Sequence, residues 1–366
     1  MKSIWYTLVV ASLLASGCRP AREVTVLKPH PVFTIHRGTN ISHWLSQSKR
    51  RGEERRAWFT KEDVAYLAGL GFDHLRIPVD EEQLWSLDGK MEQEAFDLLN
   101  AGLDWCAEYK LRAIVDLHIL RSHHFNEAVK PLWTEPKAQE RFLQCWRDLS
   151  SRLKDRPVDK VAYELMNEAV ADDPNLWNDL FARALAVLRP LEPNRVIVIG
   201  SNRWQSADTF DDLRIPPNDS NILLSFHFYT PLVFTHYKAS WTPVGKYTGP
   251  VHYPGRIVEA KDLEGLPEDL LKEVGIHNGD FDRAKFDSLI QEPIRVARTL
   301  GLPLYCGEWG CLPTVPEKDR LQWYSDMRAN LEKYGIAWAT WDYKGGFGIR
   351  AQDGTPVEAL NTTLLK

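Results

Sequence analysis

The feature that most constrains the fold is a repeated alternation of short apolar runs with longer amphipathic segments along most of the 366-residue chain. Runs without a polar face are typical of strands in parallel sheets, because helices cover both faces of such strands. The alternation therefore predicts an α/β fold, a (β/α)8 TIM barrel in a single domain. The predicted strands are 33–41, 73–79, 112–118, 161–168, 195–200, 221–229, 303–310 and 336–341.

Amphipathic periodicity predicts a helix between most of these strands. The first begins at a capping-box-like segment, Thr60 to Asp63, and Gly71 ends it. The other predicted helices are 92–109, 135–154, 175–188, 282–300 and 318–334. A long loop insertion follows the sixth strand, at 231–255, and it is rich in aromatic residues, Gly and Pro.

The N-terminus resembles an export signal. Lys2 precedes an apolar segment, 4–14, that is too short to span a bilayer, and Ala15-Ser16-Gly17-Cys18 then resembles a bacterial lipobox. We expect residues 1–18 to be a signal peptide, with lipidation of Cys18 favoured over simple secretion. The protein would then be an exported, membrane-anchored lipoprotein at the periplasm or cell surface, and otherwise secreted. Residues 19–32 would form a linker to a domain at 33–366.

Composition excludes some partners and leaves others open. The net charge of -5 and the lack of long Lys or Arg blocks give no reason to expect a nucleic-acid partner, and we expect a monomer. Fourteen Trp and twelve Tyr suit either a core or the flat faces of sugars. Of the cysteines after Cys18, Cys306 and Cys311 allow a disulfide, but their placement across a strand end favours free thiols.

Two acidic residues close predicted strands. Glu168 follows Asn167 at the end of the fourth strand, and Glu308 ends the seventh. The carboxyl ends of barrel strands meet at one face, so the two side chains are expected to share a pocket. One carboxyl that donates a proton and one that attacks an anomeric carbon, about 5–5.5 Å apart, are what a retaining glycosidase needs. We interpret Glu168 as the acid/base and Glu308 as the nucleophile.

Further polar and aromatic residues lie in or at the ends of other predicted strands. Taken singly, each has an ordinary explanation, such as a structural ion pair or a satisfied core histidine. Their joint placement at the top of the barrel indicates a substrate site. These residues are Arg76, His118, His227, Tyr229 and Trp341.

The complete set resembles glycoside hydrolase family 5, the barrel family that includes many cellulases and mannanases. The resemblance implies retaining hydrolysis of a β-linked polysaccharide or oligosaccharide, most simply as an endo-β-1,4-glucanase, and no metal or organic cofactor. A β-mannanase, an exo-acting β-glucosidase and a non-catalytic glycan-binding lipoprotein remain alternatives. The positions that match the family's active site are Arg76, His118, Asn167, Glu168, His227, Tyr229, Glu308 and Trp341.

Several residues outside the motif could shape the substrate cleft. Trp204, after the fifth strand, and Trp241 or Tyr247, in the insertion, are candidates to stack on sugars, and packing is the equal alternative for the insertion. Trp309 could be core or subsite floor. His123 and His124, after the third strand, could bind hydroxyls or simply lie on the surface; with Asp116 and His118 they would be the ligands of a metal-dependent alternative.

Overall fold

The computed structural model describes residues 25–366. The predicted signal peptide, Cys18 and the first part of the linker lie outside the described residues. The barrel strands are β1 (Arg37–Asn40), β2 (His74–Asp80), β3 (Arg112–Ile119), β4 (Val161–Glu164), β5 (Ile197–Gly200), β6 (Ile222–Phe228), β9 (Leu304–Trp309) and β10 (Ala337–Thr340). A separate hairpin contains β7 (Gly255–Arg256) and β8 (Asp280–Phe281). The eight barrel strands are parallel and close in the order β1-β10-β9-β6-β5-β4-β3-β2, so the predicted (β/α)8 barrel is confirmed.

Helices surround the barrel close to the predicted positions. One prediction was wrong: the helix expected at 282–300 is two helices that meet at Ile290. Pro293 explains the break, since it lacks an N–H and its ring would clash with the carbonyl four residues earlier. The α-helices of about two turns or more are Gly52–Trp58, Lys61–Leu70, Gln93–Glu108, Pro136–Leu153, Pro174–Leu188, Glu268–His277, Arg283–Leu289, Gln291–Leu300, Glu317–Lys333 and Glu358–Leu365.

The first strand is shorter than expected, because the start of the predicted run fills the barrel instead of pairing. Phe33 and Ile35 are buried in a cluster with inward residues of other strands, such as Ile114, Val198 and Tyr305. A second, larger apolar layer lies between the strands and the helices. Apolar residues thus cover both faces of the strands, which is why the strand sequences do not alternate.

The insertion after β6 runs on to residue 281, further than the predicted 231–255. It contains the helix Glu268–His277 and the β7–β8 hairpin. Tyr247 and Tyr253 are buried, and Tyr253 stacks on Phe286 with ring centroids 5.3 Å apart. The hypothesis that Tyr247 stacks on a sugar is therefore wrong. Trp241, by contrast, is 58% exposed.

The four cysteines in the described part of the chain are free and buried, as the sequence favoured. Burial raises the pKa of Cys106 to about 12, so this thiol stays protonated at neutral pH.

None of the helices between residues 25 and 366 combines the length and the apolar character that a membrane span requires.

Candidate active site

A cleft of about 1210 Å³ lies at the carboxyl ends of the strands. Its wall runs from the loops after β1 and β3 to the loops after β5 and β6. Six of the eight family-like positions line it, namely His118, Glu168, His227, Tyr229, Glu308 and Trp341. The other two, Arg76 and Asn167, are buried: Arg76 donates to Glu308, and Asn167 accepts a hydrogen bond from Arg76.

Asn167 and Glu168 lie on a loop, not at the end of a strand as the sequence suggested. β4 ends at Glu164, and the chain then bends so that the Asn167 N–H donates to the Leu117 carbonyl oxygen. Glu168 has a φ of 45°, a left-handed conformation that costs a non-glycine residue on the order of 1–3 kcal/mol. A strained residue at a polar pocket indicates that its side-chain position matters for function.

Glu308 is held by two donors. Arg76 Nη1 donates to its Oε1 at 2.7 Å, and the Tyr229 hydroxyl donates to its Oε2 at 3.0 Å. Burial raises the pKa of Glu308, while the charge of Arg76 and the Tyr229 hydrogen bond act in the opposite direction. The two contacts favour an ionised carboxylate with a fixed orientation.

Glu168 has a different environment. Its Oε1 lies 2.9 Å from His227 Nδ1, and its backbone N–H donates to Gln205 Oε1. Burial, followed by the nearby charge of Glu308, raises the pKa of Glu168 well above its usual value. Burial also lowers the pKa of His227 well below its usual value, so that ring is a neutral partner. Glu168 can therefore keep a proton under conditions in which Glu308 has lost one.

The two carboxyl groups are close together. One oxygen of each, together with a ring nitrogen of His227, all lie within 4.8 Å of one another. This places the acids near the 5–5.5 Å separation of retaining glycosidases, and too close for the roughly 6.5–9.5 Å of inverting ones.

His118 and Trp341 form a parallel stack beside the acids. Their ring centroids are 5.5 Å apart with planes 7° from parallel, and His118 Nδ1 lies 2.7 Å from Asp116 Oδ2. Burial lowers the pKa of His118 to about 3, so the ring is neutral. Because His118 covers one face of the indole, Trp341 reaches the cleft in a fixed orientation.

Trp204 and Trp241 are exposed aromatic residues on neighbouring loops of the cleft wall, after β5 and β6. Trp204 is 45% exposed and sits in a left-handed turn between Arg203 and Gln205. Gln205, at the end of that turn, is fully buried. Trp204 and Trp241 therefore line the cleft, whereas Trp309 is fully buried in the core.

The histidines after β3 separate into two roles. His123 is buried, accepts a hydrogen bond from the Val170 N–H and packs edge-on against Trp133, so it is structural. His124 lines the cleft. Among residues 25–366, the group of side chains close enough to hold a metal ion is Glu168, His227 and Glu308, not the alternative set built around Asp116 and His123.

Sequence reasoning missed Glu164. This residue is fully buried in β4, and both of its oxygens accept hydrogen bonds from Arg76. The available signal was a charged residue inside a buried apolar run, four positions before Glu168.

Comparison with known sequences identifies the family. The profile for cellulase (glycosyl hydrolase family 5) matches residues 37–346. The chain belongs to glycosyl hydrolase family 5. As a member of this family it is a glycoside hydrolase, and the family retains anomeric configuration.

Relatives within family 5 resemble the chain over most of its length. Endoglucanase C of Acetivibrio thermocellus is 30% identical over 333 residues, which cover 87% of this chain and 94% of that protein. Cellodextrinase A of Ruminococcus flavefaciens is 28% identical, covering 83% and 84%. The structure of the clostridial cellulose synthase subunit Z from Clostridioides difficile superposes with a TM-score of 0.74 at 25% identity, covering 91% of this chain and all of that one.

Proposed function

We propose that the protein is an endo-β-1,4-glucanase in which Glu168 is the acid/base and Glu308 the nucleophile. The observation that carries the proposal is the pair of buried carboxyls, with oxygens within 4.8 Å of each other, of which Glu308 is paired with Arg76 and Glu168 with a neutral histidine. The names of the relatives, an endoglucanase and a cellodextrinase, support a β-1,4-linked glucan as substrate. The size of the cleft supports binding of several sugar units.

In the first step, Glu308 attacks the anomeric carbon while Glu168 transfers its proton to the glycosidic oxygen. The bond from C1 to that oxygen breaks, and an ester between C1 and Glu308 forms. In the second step Glu308 has lost its charge, so the pKa of Glu168 falls and its carboxylate removes a proton from water. Water attacks C1 from the side that the leaving group vacated, the ester bond between C1 and Glu308 breaks, and Glu308 is released as a carboxylate. Configuration is therefore retained.

Asn167 is placed to assist this chemistry. Its Oδ1 accepts a hydrogen bond from Arg76 Nη2 at 2.9 Å, while its buried Nδ2 has no partner among the described residues. Because Oδ1 already accepts from Arg76, the Nδ2 group of the amide is the free donor beside the acids. A hydrogen bond from Nδ2 to the sugar 2-hydroxyl would strengthen in the transition state.

The two acids predict a bell-shaped pH dependence of kcat/KM. Glu308 must be ionised and Glu168 protonated in the free enzyme, so activity falls at low pH as Glu308 gains its proton and at high pH as Glu168 loses one. Because the pKa values of both groups are raised, we expect both limbs above the usual glutamic acid value of about 4.3. Initial rates on an aryl cellobioside from pH 3 to 10 provide the measurement. A rate that keeps rising through alkaline pH would contradict the acid role.

The exposed tryptophans predict a chain-length effect. Trp204→Ala and Trp241→Ala should each raise KM for cellohexaose by roughly 3- to 10-fold, the value of one aromatic stacking contact. KM for a short aryl cellobioside should change less, because the shorter substrate spans less of the cleft. Leu87→Ala is the control, since Leu87 is 91% exposed and does not line the cleft. Equal effects on KM for both substrates would argue against stacking of these tryptophans on sugar units.

A panel of polymers tests the substrate. The proposal predicts reducing-sugar release from carboxymethylcellulose or mixed-linkage glucan, with a rapid fall in viscosity because cuts fall inside the chain. Release of sugar with little change in viscosity would indicate exo action. Preference for glucomannan or galactomannan would indicate a mannanase. Binding without turnover by the folded protein would favour a glycan-binding lipoprotein.

We also propose export and lipid anchoring at Cys18. The described chain begins at the opposite end of the barrel from the cleft, where the Leu27 N–H donates to the carbonyl oxygen of Tyr334, just before β10. A tether attached there would leave the cleft open to polymer. Cys18→Ser should move the protein from the membrane pellet to the soluble fraction, and unchanged partition would contradict the anchor.

A further inference from the structure

Arg76 divides its hydrogen bonds unequally among the buried groups around it. Its guanidinium has five N–H bonds, and all five have acceptors. Two of them go to Glu164, from Nε at 2.6 Å and from Nη2 at 3.0 Å. Only one goes to Glu308, and the remaining two go to Asn40 and Asn167.

Glu164 is bound as a carboxylate. Its Oε2 accepts from Arg76, and its Oε1 accepts from both Arg76 and Gln205 Nε2, the latter at 3.2 Å. Arg76 and Gln205 Nε2 are both donors without a lone pair that could receive a proton from Glu164. Burial raises the pKa of Glu164 and the charge of Arg76 opposes this rise, consistent with an ion pair.

Glu164 is also connected to the acid/base loop. Gln205 donates to Glu164, and its Oε1 accepts the backbone N–H of Glu168 at 2.9 Å. Glu164 itself is fully buried and does not line the cleft, so it does not touch substrate. Any effect of Glu164 on the reaction must act through Arg76, through Gln205 or through the electric field of its charge.

We propose that Glu164 is a positioning residue: its two hydrogen bonds fix the plane of the Arg76 guanidinium and draw part of its charge away from Glu308. Glu308 thereby keeps a fixed attack direction and stays basic enough to be a good nucleophile. This inference rests on the proposed role of Glu308 and adds a residue outside the family-like set.

Loss of the Glu164 charge has two electrostatic effects of the same sign. Arg76 would act more strongly on Glu308, and one negative charge near Glu308 would disappear, so both effects lower the pKa of Glu308. The acid limb of kcat/KM should therefore move to lower pH. The pKa of Glu308 depends on all the titratable groups that face Glu308 or its partners. These groups are Arg76, Asp116, His118, Glu164, Glu168, His227, Tyr229, Tyr305, Cys306 and Asp342.

The test is the pH profile of Glu164→Gln on an aryl cellobioside. We expect the acid limb to move down by about 1 pH unit, as for loss of one nearby charge. We expect kcat to fall while KM stays within about twofold, because Glu164 is outside the cleft. Glu164→Asp keeps the charge, but its shorter side chain weakens the contact with Arg76. The acid limb and the kcat of this variant should therefore lie between those of the wild type and Glu164→Gln.

Glu192→Gln is the matched control. Glu192 is another buried glutamate paired with a buried arginine, since Arg195 Nε donates to its Oε2 at 2.7 Å, but it lies away from the cleft. Its substitution should lower the melting temperature and leave the pH profile in place. A purely structural role of Glu164 would give the same pattern.

The inference is overturned if Glu164→Gln melts lower but its acid limb coincides with that of the wild type, or if KM changes instead of kcat. If Glu164→Gln does not fold, Glu164→Asp provides the test. An acid limb at the wild-type pH together with the wild-type kcat would reject the proposal. A wild-type enzyme without activity, or without a bell-shaped profile, would instead reject the proposed function itself.

Discussion

Glu308→Gln is expected to reduce kcat on a soluble β-glucan by on the order of 10³-fold or more, because the amide cannot form the ester with C1. The substitution is nearly isosteric: the amide oxygen can accept from Arg76 at the position of Oε1, and the amide NH2 can donate to the Tyr229 hydroxyl oxygen at the position of Oε2. Substrate binding should therefore persist. The measurements are steady-state kinetics and the affinity for cellohexaose by calorimetry.

The control for Glu308→Gln is its thermal stability. A melting temperature near that of the wild type would separate lost chemistry from lost folding. Rates like those of the wild type in a folded variant would reject Glu308 as the nucleophile. Loss of binding together with turnover would indicate that Glu308 mainly holds substrate.

Glu168→Ala is expected to show an effect that depends on the leaving group. For a polysaccharide, whose leaving alcohol needs a proton, kcat/KM should fall by about 10²–10⁴-fold. For 2,4-dinitrophenyl cellobioside, kcat/KM should remain near the wild-type value, because the phenolate leaves without protonation. The raised pKa of Glu168 is the structural basis for this expectation.

Azide provides an independent readout for Glu168→Ala. The second step also needs Glu168, as a base, so the ester should accumulate and kcat should be low even for the activated substrate. Azide needs no base, so it should restore kcat and yield a β-cellobiosyl azide. The same loss for all leaving groups, without azide rescue, would contradict the acid/base role.

The sequence predicted the barrel because its strands are separate apolar runs and most of them are followed by a clear helical period. The predictions from sequence were wrong where long-range contacts determine the structure. Phe33 and Ile35 look like strand residues but fill the end of the barrel. The end of the insertion depends on a hairpin of only two residues per strand, Gly255–Arg256 with Asp280–Phe281, and so short a pairing leaves no periodic signal.

The candidate site was predictable in part for the same reason. Strand ends point to one face, so a register assigned from sequence places Glu168 and Glu308 together. Glu164 was missed because a run that is buried on both faces does not reveal which charged residue meets Arg76. Tyr247 and Trp241 are both aromatic residues of the insertion, and only tertiary packing distinguishes the buried one from the exposed one.

Trapping the ester would show whether Glu308 is the nucleophile of a retaining β-glucanase. In 2,4-dinitrophenyl 2-deoxy-2-fluoro-β-cellobioside, the leaving group drives ester formation and the fluorine slows its hydrolysis. Peptide mass spectrometry should then find one fluorocellobiosyl group per molecule, on Glu308, with parallel loss of activity. A label on Glu168 or another residue, or full activity with no label, would contradict the assignment.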